Sequence, residues 1–186
     1  MSDERRSYQD PFKIAKAIGV KKGMTVVDMG CGPGFFTLPL AKLVGPKGMV
    51  YAVEANPTML KHLRDNIRKT DANGNRIKAI HANVSRTRIP TASADVVLLA
   101  RILHDIEDKG DFLKEVGRIC KPHGRVVDLD WKRIRMNHGP PYSITLSKPR
   151  STKILEENGF RVVGSFNPGK YHYGIFATPI PVSGIR

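Results

Sequence analysis

A glycine-rich turn directly after a short apolar segment constrains the fold of this chain more than any other feature. Residues 24–29 read as a buried strand, the turn Gly30-Cys31-Gly32-Pro33-Gly34 follows, and an amphipathic helix is predicted from about Phe35 to Leu43. Glycines after a strand let the backbone turn sharply and let a ligand touch it without meeting a Cβ atom. In open α/β sheets ligands bind at the carboxyl ends of strands, so we expect a ligand site at this turn.

The rest of the chain alternates short β-branched segments with longer amphipathic ones, which is typical of an α/β fold with a largely parallel sheet. A first helix is predicted over residues 11–18, with Asp10 as its N-cap and Pro11 at its first position. Asn56-Pro57 opens another helix in the same way. The remaining predicted elements are strands over residues 49–54, 77–81, 94–100 and 124–131, and helices over residues 57–69, 109–120 and 149–158.

The chain ends in two predicted strands, residues 160–166 and 171–178, joined by the turn Asn167-Pro168-Gly169. A connection this short requires the two strands to be antiparallel. The sequence therefore predicts a seven-stranded, mostly parallel sheet with an antiparallel C-terminal hairpin and helices on both faces.

Composition fits one globular domain spanning residues 1–186, with 40% hydrophobic and 26% charged residues. We expect an N-terminal helix in residues 1–20, a ligand-binding core over 22–131, and a cover plus hairpin over 132–178. No apolar stretch is long enough to span a membrane, and the charged N-terminus carries no secretory signal. Cys31 and Cys120 fall in predicted core elements, which suits a reducing cytoplasm, and no metal site is expected because zinc-ligand spacing is absent.

The chain is strongly basic, with 31 Lys and Arg against 17 Asp and Glu and a net charge of +14. Such an excess attracts anionic partners, nucleic acid included, although it also serves simply to keep the surface soluble. The excess is concentrated: between Trp131 and Leu155 there is no acidic residue, and the basic residues there are Lys132, Arg133, Arg135, Lys148, Arg150 and Lys153.

An acidic residue at the end of the second predicted strand completes the ligand-binding pattern. Glu54 lies 20 residues beyond Gly34, and a carboxylate there can accept hydrogen bonds from two vicinal ribose hydroxyls. A dinucleotide fingerprint would have a third glycine at position 35, where this chain has Phe35. NAD is therefore disfavoured, though not excluded, as the ligand.

Taken together, these segments resemble the class I S-adenosylmethionine-dependent methyltransferases, and within them the ubiquinone/menaquinone-biosynthesis-like and arsenite-methyltransferase-like enzymes. The resemblance covers about residues 22–178, and it rests on VVDMGCGPGFFTLPLA, VYAVEANPTML, HANVSRTRIP, ADVVLLARILHDI and LKEVGRICKPHGRVVDLDW. It implies a Rossmann-like fold, S-adenosylmethionine as the cofactor, and methyl transfer as the activity. Arsenite chemistry is less favoured because it uses paired thiols, and only Cys31 and Cys120 are present.

The resemblance also implies which residues bind the cofactor. The glycines of the turn would lie against the methionine and ribose portions, Asp28 would face the methionine ammonium, and Glu54 would bind the ribose hydroxyls. Ala55 and Met59 would flank the adenine. One position departs from the family: Asn83 stands where an acidic residue usually accepts from the adenine amino group, so weaker cofactor binding is expected. The implied cofactor residues are Asp28, Gly30, Cys31, Gly32, Gly34, Glu54, Ala55, Met59, Asn83 and Ala100.

Candidate acceptor-side residues follow the fourth and fifth predicted strands. His104 is the candidate general base, since an imidazole titrates near working pH, although it could equally be a packing residue that leads a helix. Arg101 could hold an anionic acceptor or serve as a surface cation. Gly139-Pro140-Pro141-Tyr142 matches a cover loop of the quinone-methyltransferase-like enzymes, and it differs from the Asn/Asp-Pro-Pro-Tyr motif of enzymes that methylate amino groups. Tyr142 and Tyr173 are the candidate residues of an acceptor pocket.

Three functions remain open at this point. The favoured one is methyl transfer to a small, polar or anionic acceptor, because no recognition module accompanies the cofactor-binding pattern. The second is methyl transfer to RNA or another nucleic acid, which the positive charge favours. The third is a non-catalytic S-adenosylmethionine-binding protein.

Overall fold

The helices of this chain begin where local chemistry predicts. In the computed structural model, which describes residues 9–70 and 74–181, the Asp10 side chain accepts from the backbone N–H groups of Phe12 and Lys13, and Pro11 follows it. Asn56 caps the helix beginning at Pro57 in the same way. A capping oxygen satisfies N–H groups that have no partner within the helix, and proline there sacrifices no hydrogen bond.

Five helices and seven strands lie within the described residues. The helices are α1 (Pro11–Ala17), α2 (Thr37–Val44), α3 (Pro57–Lys69), α4 (Lys109–Ile119) and α5 (Lys148–Glu157), with a short 3₁₀ turn at Gly74–Arg76. The strands are β1 (Thr25–Met29), β2 (Met49–Glu54), β3 (Ile77–His81), β4 (Ala94–Ala100), β5 (Cys120–Trp131), β6 (Phe160–Phe166) and β7 (His172–Pro179).

The strands form one sheet in the order β3-β2-β1-β4-β5-β7-β6. Strands β1 to β5 run parallel to their neighbours, whereas β7 pairs antiparallel with both β5 and β6. This arrangement confirms the predicted Rossmann-like, mostly parallel sheet with an antiparallel C-terminal hairpin. The order reverses between β1 and β4, which is where a parallel sheet opens a crevice for a ligand.

Two apolar clusters cover the opposite faces of the sheet. On one face, Leu99 and Val126 pack with Phe112 of α4 and Leu155 of α5. On the other face, residues of α1 and α2 pack against Val26, Val50, Leu98 and Val127. Burial on both faces explains why β1 and β4 are nearly continuous apolar runs. Among the described residues, no helix is both long enough and apolar enough to cross a membrane.

Two boundaries differ from the sequence-based expectation by more than one residue. Helix α2 begins at Thr37 rather than Phe35, because Phe35 and Phe36 belong to the turn that precedes it. Strand β5 begins at Cys120 rather than Gly124, so the chain passes from α4 directly into the strand. Cys120 pairs with Ala94 before the register shifts, and this long-range pairing has no local sequence signal.

Candidate active site

A cleft of about 340 Å³ lies at the carboxyl ends of β1 and β4, at the switch point of the strand order. Both strands end here because they are parallel neighbours, with Asp28 paired to Leu98. The cleft is lined by Asp28, Gly30, Cys31, Gly32, Pro33, Phe35, Phe36, Ala100, Arg101, His104, Asp105, Trp131, Gly139 and Pro140. The cavity therefore brings together three segments that the sequence predicted to act together. They are the glycine turn after β1, the residues that follow β4, and the loop that contains Gly139 and Pro140.

Glycine is required at Gly32 and at Gly34 of the turn for different structural reasons. Gly32 and Gly34 both have positive φ, +53° and +95°, a conformation that other residues adopt at a cost. A Cβ atom on Gly34 would lie 2.5 Å from Leu63 Cδ1, so that glycine permits α3 to pack closely. A Cβ atom on Gly32 would meet nothing within 4 Å. The open space at Gly32 leaves the backbone accessible to a ligand in the cleft.

Glu54 is fixed by backbone groups on both sides of the cleft rim. Its Oε2 accepts from Gly32 N–H at 2.9 Å, and its Oε1 accepts from Asn56 N–H at 2.8 Å. Each carboxylate oxygen has a second lone pair, so the side chain can still accept hydrogen bonds from two hydroxyls of a ligand. The Cys31 N–H donates to Val53 O at 2.9 Å, which ties the glycine turn to the end of β2.

Asp28 is a buried carboxyl group at the end of β1, only 1% exposed. It accepts a 2.6 Å hydrogen bond from Thr37 Oγ1. Burial raises the pKa of Asp28 to about 6, although the Thr37 hydroxyl and the Arg101 charge oppose this rise. A cationic ligand group beside Asp28 would favour its ionised form.

The residues implied for adenine follow β2 and β3. Ala55 is exposed and Met59 is half-buried on α3, and His81 Nε2 lies 2.9 Å from Ala55 O, which links the ends of the two strands. Asn83 is exposed, and its Oδ1 accepts from Ser85 N–H at 2.9 Å, with a lone pair to spare. None of these three implied residues lines the cleft, and Asn83 instead lines a separate cavity of about 800 Å³.

Arg101 follows β4 in a left-handed conformation, with φ of +59°. Its backbone N–H donates to Leu129 O at 2.7 Å, which holds the bend against β5. The guanidinium carbon lies 5.5 Å from the Phe35 ring centroid and 5.9 Å from that of Trp131, within the range of cation–π attraction. Arg101 thus brings a positive charge between two aromatic walls of the cleft.

His104 is buried and forms a pair with Asp130 at the end of β5. The distance from His104 Nδ1 to Asp130 Oδ1 is 2.7 Å, and Asp130 also accepts from Trp131 N–H at 2.7 Å. A carboxylate can only accept, so Nδ1 carries a proton and Nε2 keeps the basic lone pair when the ring is neutral. Burial lowers the pKa of His104, but the Asp130 hydrogen bond and charge outweigh it, and the net shift is upward from 6.5.

The two candidate tyrosines do not meet in the cleft. Tyr173 is 4% exposed and packs in the core beneath α5, where burial raises its pKa. The structure therefore does not place Tyr173 in an acceptor pocket, because β7 turns that side chain toward the core. Tyr142 is 42% exposed on the loop before α5. It does not line the cleft either, whereas Gly139 and Pro140 of the same loop do.

Most of the basic run between Trp131 and Leu155 is engaged within the protein. Lys132 Nζ donates to Gly169 O and Lys170 O, both at 3.1 Å. Arg133 donates to Thr145 O, Lys148 to Ser165 Oγ, and Lys153 pairs with Glu157 at 3.6 Å. The Lys132 and Lys148 contacts join this region to the C-terminal hairpin, the Arg133 contact closes the loop after β5, and Lys153–Glu157 is an exposed pair within α5.

Sequence reasoning missed Asp130, Thr37, Phe35, Phe36 and Trp131 as parts of the site. The two aspartates in VVDLDW were a usable signal, because Asp128 and Asp130 interrupt the buried half of β5, residues 126–131, which is otherwise apolar. A carboxylate in a buried strand needs a partner. Asp130 has His104, and Asp128 accepts from Ser151 Oγ at 2.7 Å.

A family described as "Methyltransferase domain" matches residues 27–128. The ubiquinone/menaquinone biosynthesis C-methyltransferase UbiE of Pasteurella multocida is 33% identical over 115 residues, 62% of this chain and 42% of that protein. The Escherichia coli O1:K1 protein of the same name is 31% identical over 115 residues, 62% of this chain and 45% of that protein. The chain thus spans less than half the length of these curated relatives.

Among solved structures, a SAM-dependent methyltransferase from Aquifex aeolicus superposes with a TM-score of 0.90. It is 31% identical, and the match covers 96% of this chain and 94% of that one. The similarity therefore extends beyond residues 27–128 to the loop after β5 and the C-terminal hairpin.

Proposed function

The chain belongs to the methyltransferase-domain family, and from this premise we propose that it transfers a methyl group from S-adenosylmethionine to a small acceptor with an acidic hydroxyl group. The observation that carries the acceptor class is the His104–Asp130 pair, with its 2.7 Å contact, in the same cleft as the glycine turn.

The residues of the cleft rim fit this cofactor. Gly32 leaves space for the ligand at the backbone, Glu54 presents a fixed carboxylate for ribose hydroxyls, and Asp28 offers a buried carboxyl to an ammonium group. Ala55, Met59 and Asn83 are proposed for the adenine. When bound, S-adenosylmethionine supplies a methyl group on a sulfonium, which is already a good leaving group. The protein must therefore mainly orient the acceptor and exclude water.

His104 is proposed to take the proton from the acceptor hydroxyl at its Nε2 atom. Asp130 fixes the tautomer that leaves Nε2 basic, and it stabilises the imidazolium that forms. Arg101 holds the resulting oxyanion between the Phe35 and Trp131 rings, from which its guanidinium carbon is 5.5 and 5.9 Å. This arrangement suits a planar phenol or enol, because Arg101 can pair with its negative charge and the two aromatic rings can pack against its flat face.

The curated relatives are named C-methyltransferases of quinone biosynthesis. A phenol that has lost its proton shares the negative charge with its ring carbons, so the same base serves transfer to oxygen or to carbon. In transfer to carbon the ring C–H proton is then released as aromaticity returns, and the phenol oxygen regains the proton held by His104. An aromatic hydroxyl compound is accordingly the first acceptor class to test.

Transfer to nucleic acid is the second candidate, favoured by the net charge of +14. Against it, the loop after β5 carries Gly139-Pro140-Pro141-Tyr142 and not the Asn/Asp-Pro-Pro-Tyr motif of enzymes that methylate amino groups.

The test is incubation of the protein with methyl-labelled S-adenosylmethionine and cell extract, with and without nuclease. Label in a small-molecule fraction that nuclease treatment does not change supports the proposal and allows the acceptor to be identified. Nuclease-sensitive label would replace it with nucleic-acid methylation, and cofactor binding without any transfer would indicate a binding protein. His104→Gln should reduce transfer roughly 100-fold or more, whereas His123→Gln, an exposed histidine on β5, should leave it unchanged.

The cofactor site is tested separately by Glu54→Gln. Removing the charge weakens the hydrogen bonds to ribose, so the dissociation constant for S-adenosylmethionine should rise roughly 10-fold or more by titration calorimetry. The matched control is Glu156→Gln, an exposed glutamate on α5. Equal affinities of the two variants would show that Glu54 does not bind the cofactor.

A further inference from the structure

The loop between β5 and α5 carries an unusual concentration of exposed apolar side chains. Ile134, Tyr142 and Ile144 are 43%, 42% and 41% exposed, three of the six large apolar side chains that the described residues expose. All three lie within residues 134–144. We call these side chains, together with Arg133 and Arg135, the cover patch.

Contacts between the two ends of the loop bring the cover patch together. The guanidinium carbon of Arg133 lies 4.6 Å from the Tyr142 ring centroid, and that of Arg135 lies 5.5 Å from it. Ile134 stands between these two arginines in the chain, and Ile144 is two positions beyond the ring. Both arginines of the cover patch are thus in contact with the Tyr142 ring, and Ile134 and Ile144 are exposed next to these residues in the chain.

Hydrogen bonds of the loop hold this surface in its exposed form. Arg133 Nη1 donates to Thr145 O at 3.2 Å, and Thr145 Oγ1 donates to Tyr142 O at 2.8 Å. Ile144 N–H donates to Pro141 O at 3.1 Å. Thr145 itself is buried, so the loop is anchored at one point and displays its apolar side chains around it.

The cover patch adjoins the mouth of the active-site cleft. Gly139 and Pro140 lie between its two halves in the chain, and both line the cleft. No acidic residue occurs from Trp131 to Leu155. Whatever approaches the cleft from this side meets positive charge and apolar side chains together.

We propose that the cover patch docks the protein onto the surface of an anionic phospholipid bilayer, with the cleft opening toward the membrane. Arginines beside aliphatic and aromatic side chains match the charged headgroups and the acyl boundary beneath them. A nucleic acid would use the cations and the aromatic ring but would give the two isoleucines no partner. The proposal concerns this surface alone and is independent of the acceptor identity.

The test is co-sedimentation of the full chain with vesicles of phosphatidylcholine alone or mixed with phosphatidylglycerol. The double variant Ile134→Ser/Ile144→Ser should bind the mixed vesicles roughly tenfold more weakly, because its exposed aliphatic area no longer enters the interface. The matched control is Val163→Ser/Ile180→Ser, which removes two side chains that are each 51% exposed elsewhere and should bind like the original protein.

Charge is tested in the same assay. Arg135→Gln should weaken binding to the mixed vesicles about fivefold and leave the low binding to phosphatidylcholine unchanged. Arg64→Gln, on the exposed side of α3, should have a smaller effect. Circular dichroism of each variant confirms that the fold is intact.

Three outcomes overturn the proposal. The first is no binding of the original protein to phosphatidylglycerol vesicles. The second is an equal loss in the two double variants, which would mean that binding follows overall charge and not the cover patch. The third is a single-stranded RNA oligonucleotide that binds tightly, loses affinity in Arg135→Gln and competes off the vesicles, which would make the surface a nucleic-acid interface.

Discussion

The Nδ1 atom of His104 lies 2.7 Å from an Asp130 carboxylate oxygen, although the two residues are 26 positions apart in the chain. Strands β4 and β5 are parallel neighbours, with Ala100 paired to Leu129. The loop that leaves β4 therefore returns beside the end of β5. Asp130 is fully buried and accepts further backbone hydrogen bonds, so the pair has a fixed geometry.

Replacing Asp130 by Asn should lower kcat roughly 100-fold, because the imidazolium formed during proton transfer loses its counter-charge. The pKa of His104 is raised by Asp130 against the effect of burial. A base must be neutral, so activity is lost as pH falls through that pKa, and in Asp130→Asn this loss moves to lower pH. The measurement is the pH dependence of kcat in both proteins.

Asp105→Asn is the comparison for this prediction. Its carboxylate lies 3.4 Å from His104 Nε2 and is 61% exposed, so solvent screens its charge. The pH dependence of kcat should shift less in Asp105→Asn than in Asp130→Asn. Identical profiles for all three proteins would remove His104 from the reaction.

Cofactor affinity should fall as pH drops below about 6, because the pKa of Asp28 is raised to about 6 by burial and only its ionised form attracts an ammonium group. The fall approaches tenfold per pH unit when one proton is released on binding. Titration calorimetry between pH 5 and 7 measures it. In Asp28→Asn the affinity should be lower at pH 7 and nearly independent of pH, whereas a steep dependence in that variant would assign the proton elsewhere.

Replacing three glycines by alanine, one at a time, distinguishes the effects of backbone strain, side-chain packing and ligand binding. Gly23→Ala, at φ of +85° with nothing within 4 Å of the added Cβ, should lose about 1 kcal/mol of unfolding free energy from backbone strain. Gly34→Ala should lose about 1 kcal/mol more, because its Cβ meets Leu63. Gly32→Ala should resemble Gly23→Ala in stability yet bind S-adenosylmethionine roughly tenfold more weakly. Urea unfolding and calorimetry distinguish the three, and an unchanged affinity in Gly32→Ala would contradict the ligand position.

The loop between β3 and β4 is pinned by Glu115 of α4, which accepts from Thr87 N–H at 2.8 Å and Arg118 Nε at 2.7 Å. The Arg118 hydrogen bond is the main reason that the pKa of Glu115 lies at about 2. A lowered pKa in the folded state stabilises the protein above pH 4.5, and that stabilisation is lost as pH falls from 4.5 to about 2.

Glu115→Gln should therefore cost about 2 kcal/mol at pH 7, and the difference from the original protein should shrink below pH 4.5. Urea unfolding at several pH values measures this. The exposed Glu156→Gln should change stability little at any of them. A difference that is the same at pH 7 and pH 3 would show that packing, not charge, is responsible.

Local chemistry was sufficient to predict most elements of this fold. Asp10, Asn56 and the glycine turn act on residues within a few positions, so their consequences are visible in the chain itself. The apolar runs of β1 and β4 likewise report burial on both faces. The carboxyl-end location of the candidate site follows from strand polarity, and the structure brings Asp28, Gly32 and His104 to one cleft as that reasoning requires.

Only the tertiary structure decided which side chains contact one another. Asp130 beside His104, Tyr173 in the core, and the two arginines over Tyr142 each depend on strand register or loop closure across many positions. Register is set by the sum of many side-chain contacts over the whole sheet, and shifting a strand by one residue reverses the face of every side chain on it. The sequence alone therefore determined the elements and the glycine turn, and it predicted the candidate base. Packing of the sheet determined which residues surround that base.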